Sequence, residues 1–67
     1  MYTPKVYDRV KIVNSGDAAL EGQRGTVMGF HGTYALDTPR SIIVLFDLQP
    51  QNHDRAIVIS VHCIEPI

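Results

Sequence analysis

A small all-β fold, a barrel of five short strands, is what this chain predicts. Three observations predict it. At 67 residues the chain makes one domain, near the lower limit for a core that folds unaided, with roughly 60% of the unfolded surface buried at this size. Its long apolar stretches are rich in β-branched residues and are bounded by Gly, Pro, Asn or Asp, which favours strands over helices. Glycines then cluster in "EGQRGTVMGF", at Gly22, Gly25 and Gly29, within an otherwise strand-like segment.

The first strand is read in "VYDRVKIV". Val6, Val10 and Ile12 share one parity and Tyr7, Arg9 and Lys11 the other, so one face is dry and one wet, with Asp8 interrupting the inner row near its start. "NSGDAALEGQ" is too long for a tight hairpin, and "DAALEGQ" can form one helical turn capped by Asp17. "RGTVMGFH" is the second strand. "SIIVLFDL" is the third, and its unbroken apolar run predicts burial on both faces. "HGTYALDTP" and "QPQNHD" are polar, turn-rich loops; "RAIVISV" is the fourth strand and "CIEPI" a short closing one. Pro66 lacks an N–H, which puts that last piece at an edge or ends its pairing.

The glycines have a structural purpose in this scheme. A flat five-stranded sheet would expose unpaired backbone along both edges, and curling it into a barrel requires sharp corners. Glycine supplies them through positive φ or close backbone approach. Gly16 lies in the long loop, Gly22 ends it, Gly25 starts the second strand, and Gly29 permits a bend next to Phe30.

"DRVKIVNSGDAALEGQRGTVMGF", residues 8–30, resembles the KOW element that opens many small SH3-like barrels. A hydrophobic strand and a glycine-containing loop lead into Gly-x-x-Gly-x-Val; the matching positions are Val10, Ile12, Gly16, Gly22, Gly25 and Val27. Tyr7 stands where many members of that family have glycine. "VISVHCIEPI" is similar to the tail of such barrels, whose last strand returns beside the first. The resemblance implies an SH3-like five-stranded barrel and a binding role. Family members bind ribosomal RNA or transcription complexes, and the same barrel occurs as accessory subunits docked on larger assemblies.

Composition narrows the function. The formal charge of −1 is not the basic excess usual in a module that holds nucleic acid through phosphate contacts. Cys63 is the only cysteine, so no intrachain disulfide can form, which fits a reducing compartment or one indifferent to thiols. "MYTPKVYDRV" has no apolar core of a signal sequence, and the run from Ile42 to Phe46 is far too short to span a membrane. These features read as a cytoplasmic protein without membrane insertion. His31, His53 and His62 are spaced without metal-ligand pattern, and no nucleophile–base pair or phosphate-cradling motif is present. The expectation is a non-enzymatic protein with no cofactor, metal or small-molecule substrate.

Two binding surfaces are readable. For a protein partner, a second copy or a larger complex, the candidates are Met28, Phe30 and Ile42 or Ile43, rimmed by Arg24, Tyr34 and Arg40. Met28 and Phe30 share a parity opposite Val27. They lie outside or at a barrel end if Val27 points inward, unless twist and bulges return them to the core. For nucleic acid, the alternative, the cations are Arg9, Lys11 and Arg24, with Tyr7, Phe30 and Tyr34 as stacking surfaces. Nearby Asp8, Asp17, Asp37, Asp47 and Asp54 oppose phosphate binding.

Overall fold

A computed structural model describes residues 2–31 and 41–67. Five strands form one antiparallel sheet: β1 (Arg9–Ile12), β2 (Arg24–His31), β3 (Ser41–Phe46), β4 (Ala56–Ser60) and β5 (Ile64–Pro66), with a 3₁₀ turn at Val61–Cys63 before β5. Their order is β4-β3-β2-β1-β5, so the chain meanders through four strands and returns its last beside its first. This is the small all-β, barrel-like fold read from the sequence. Among the described residues no ladder joins β4 to β5, so these two strands are the ends of the sheet.

One face of the curled sheet holds the core. Val10, Ile12, Val27, Ile42, Val44 and Phe46 are fully buried, with Leu20, Val61 and Ile64 closing around them. Alternation therefore governs β3 as it governs β1: Ile42, Val44 and Phe46 point inward, whereas Ile43 is half-buried and Leu45 exposed. The expected burial of β3 on both faces is thus corrected. Val6 also leaves the predicted inner row and is exposed, because Tyr7 takes a left-handed conformation (φ 74°) that breaks the alternation before Arg9.

The 13–23 loop is held by its own side chains. Asp17 caps a single turn, its Oδ1 accepting from the Ala19 amide at 2.9 Å and its carbonyl from the Leu20 and Glu21 amides. Glu21 reaches back to accept from the Asn14 and Ser15 amides. Gly22 then leaves the loop at φ 80°. Its amide donates to the Ile12 carbonyl while the Ile12 amide donates to the Gln23 carbonyl. That exchange is the signature of a bulge whose first residue must be left-handed, the place glycine occupies without steric cost.

Gly25 serves differently. A Cβ there would stand 2.6 Å from the Leu45 carbonyl oxygen and 2.7 Å from Val44 Cγ1, so the close passage of β2 over β3 leaves no room for a side chain. Gly29 would accept a Cβ without crowding, its nearest neighbour being Ile43 Cδ1 at 3.7 Å, an ordinary van der Waals contact. The bend expected at Gly29 comes instead from a bulge one residue earlier. Val27 pairs with Val44 and Gly29 with Ile43, leaving Met28 as the extra residue.

Candidate binding surface

Directly opposed residues of an antiparallel pair present their side chains to the same face. On the face away from the core, Ile43 lies between Gly29 on β2 and Val58 on β4, and Leu45 lies between Thr26 and Ala56. Val58 is 49% and Met28 44% exposed, and Leu45 is also exposed. Three adjacent strands thus expose an uncharged, largely apolar stretch built from Met28, Ile43, Leu45 and Val58.

The Met28 bulge has a second effect. It shifts the phase of β2, so that Phe30 falls opposite Ile42, on the core side. Phe30 nevertheless remains 40% exposed because it lies near the end of the strand, beyond the closed part of the core. Met28 and Phe30 therefore do not belong to one patch. Ile42, a predicted surface candidate, has no exposed area and belongs to the core; of the pair, Ile43 faces outward. Tyr34 and Arg40 lie outside the described residues.

Tyr7, just before β1, is an exposed aromatic residue tied to β2 by its backbone. Its amide donates to the Val27 carbonyl at 2.7 Å, and the Val27 amide donates to the Asp8 carbonyl at 2.9 Å, repeating the bulge geometry found at Gly22. Here the left-handed position holds a tyrosine that is 74% exposed. A non-glycine residue in that conformation costs about 1–2 kcal/mol.

The charged part of the same face lies on β1 and β2. Arg9 sits opposite Thr26, and Lys11 opposite Arg24 on one side and Glu65 on the other. Arg9 forks onto Asp47, with Nη1 donating to Oδ1 at 2.7 Å and Nη2 to Oδ2, and also donates to Thr26 Oγ1 at 3.0 Å. That hydrogen-bonded fork holds the Asp47 carboxyl below the usual carboxylate range, with Arg24 and Arg55 adding attraction. Arg55 binds the Phe46 and Asp47 carbonyls instead of facing outward. Lys11 pairs with Glu65 at 3.5 Å. The structure places Arg9, Lys11 and Arg24 on one face of β1 and β2, and two of the three carry a carboxylate partner. Arg24 alone makes no side-chain hydrogen bond or ion pair among the described residues.

Leu45 and Val58 join the surface only in the structure. The alternation in "SIIVLF" and "AIVIS" contained the signal, once one residue of each strand had been assigned to the core. Among the described residues no group of three His, Cys, Asp or Glu side chains is placed to hold a metal ion, and no helix is long and apolar enough to cross a membrane. Comparison with protein-family models, curated proteins and solved structures finds no match.

Proposed function

We propose that this protein is a non-enzymatic binding module that engages another protein through the outer face of β2, β3 and β4. The observation that carries this reading is the exposed apolar stretch of Met28, Ile43, Leu45 and Val58 on three neighbouring strands. Burial of such a centre with charged groups at its margin is the usual anatomy of a protein interface. Arg9, Lys11 and Arg24 form that margin, and Tyr7 is the aromatic anchor, a residue type enriched among interface hot spots.

The nucleic-acid alternative is the weaker reading, because Arg9 and Lys11 already spend their charge on Asp47 and Glu65. Of its three cations only Arg24 lacks a hydrogen-bond or ion-pair partner among the described residues.

The test is capture from native lysate by the wild-type chain and by a Met28→Asp, Leu45→Asp double variant, each with and without nuclease. Both changes are at exposed positions, so the variant keeps its β circular-dichroism spectrum. Nuclease-resistant protein retained by the wild type and lost by the variant is expected. Material that disappears with nuclease overturns the proposal in favour of nucleic acid, and identical capture by both chains removes the outer face as the site.

A further inference from the structure

The two ends of the sheet are unequally protected. On β5 the strand is three residues long, Glu65 is paired with Lys11, and Pro66 lies opposite Val10. The Ile67 amide donates to the Arg9 carbonyl and the Val13 amide to the Cys63 carbonyl. Bonded positions alternate along a ladder, so Ile64 and Pro66 turn their backbones to the open side. Proline removes the donor there, a common way to blunt an edge.

β4 has no such device. Its five residues, Ala56-Ile57-Val58-Ile59-Ser60, include no charge and no proline, and among the described residues no strand pairs with its outer side. The Phe46 amide donates to the Arg55 carbonyl at 2.8 Å, which sets the phase of the β3–β4 ladder. Ile57 and Ile59, opposite Val44 and Ile42, therefore turn their backbone groups toward β3. Those of Ala56, Val58 and Ser60 face the open edge, and their chemical complement is the backbone of another strand.

We propose that the protein is a homodimer in which β4 pairs antiparallel with β4 of a second copy about a two-fold axis at Val58. In that register Val58 exchanges both backbone hydrogen bonds with Val58 of the second copy, and Ala56 does so with Ser60. All outward-facing groups of the edge are satisfied at once. On the core side Ile57 falls opposite Ile59 of the second copy, and these two isoleucines are the half-buried residues of β4 packed against the core. On the outer face Val58 meets its own copy beside Ile43, so the apolar stretch runs unbroken across the axis. Asp54 and Arg55, the charged residues adjoining β4, fall at the level of His62 and Val61 of the second copy, so no like charges are opposed. A β4–β5 contact between copies would propagate without closing, and the Pro66 edge disfavours it. The β4–β4 contact closes at two.

This inference goes beyond the outer-face reading, and its test separates the two. Sedimentation of the wild-type chain is expected to show a dimer, and Val58→Lys a folded monomer. In a Cys63→Ser background, Val58→Cys is expected to form a disulfide-linked dimer in a glutathione redox buffer. Bonded cross-strand Cα atoms are about 5.5 Å apart, within disulfide reach. Ala56→Cys should not, its copy lying roughly 14 Å away in this register. The Met28→Asp, Leu45→Asp variant should remain dimeric even where it loses its partner. A monomeric wild type overturns the proposal, as does a dimer that Val58→Cys fails to link. A dimer dissociated only by the Met28 and Leu45 changes overturns it too, while leaving the outer-face reading intact.

Discussion

Tyr7 and Gly22 occupy the same backbone geometry on two successive bulges of the β1–β2 pairing, at φ 74° and 80°. Each donates its amide to the residue opposite, Val27 for Tyr7 and Ile12 for Gly22, while that residue donates to the carbonyl one step further on. One position holds the residue such a bulge favours. The other holds an exposed aromatic, a strained conformation of the kind that concentrates at binding sites.

Tyr7→Gly should therefore stabilise the fold. Relief of left-handed strain exceeds the added flexibility of the unfolded chain, for a net gain of about 0.5–1 kcal/mol, read as a higher urea midpoint at unchanged slope. If the proposed protein-binding face includes Tyr7, the same variant should capture less protein from lysate. A gain in stability without loss of binding would show that Tyr7 is not an anchor.

Gly25 and Gly29 should respond oppositely to alanine. At Gly25 a methyl group meets the Leu45 carbonyl and Val44, and forcing β2 from β3 should cost about 1–3 kcal/mol or more. At Gly29 a methyl group makes only an ordinary contact with Ile43 and φ is not positive, so alanine should be neutral or stabilising by up to about 1 kcal/mol. Denaturant melts of the two variants check the contrast. Equal losses would mean that both glycines serve close packing.

How much of this could be read in the sequence depended on whether alternation was visible. In "RVKI" polar and apolar residues alternate, so the inner row of Val10 and Ile12 was legible. In "SIIVLF" both parities are apolar, and only the pairing with β2 separates Ile42, in the core, from Ile43, on the surface. The Met28 bulge is silent because an extra residue changes no local composition. It nevertheless decides which side Phe30 takes. The Arg9–Asp47 fork joins residues 38 positions apart, and nothing local in either segment announces it.

Tyr2 should make the protein sensitive to alkali. Burial, followed by its hydrogen bond to Asp8 at 2.7 Å and the charge of that carboxylate, raises its hydroxyl from 10.0 to about 12. A group whose folded value is raised contributes stability that is complete below the unfolded value. That contribution should disappear as pH rises from about 10 to about 12. Tyr2→Phe should flatten the fall in melting temperature across this window. An unchanged slope would place the alkaline loss elsewhere.

The acid limb should come from four carboxylates that the fold holds in their charged form. Hydrogen bonding leads in each case: Tyr2 to Asp8, the Ala19 amide to Asp17, the Ser15 amide to Glu21, and Arg9 to Asp47. Each folded value lies below the unfolded one, so the stabilisation is present above the ordinary carboxylate range and is lost as pH falls through the folded values. Glu21 is the most informative member. It ties the Asn14 and Ser15 amides and the Ser15 hydroxyl across the loop, whereas Asp17 also meets His53 Nε2 at 2.8 Å. Glu21→Gln keeps an acceptor but removes the charge. It should therefore lower stability at neutral pH and make the acid transition shallower, with the two chains converging at low pH. A constant difference at every pH would show that Glu21 acts through packing and not through its charge.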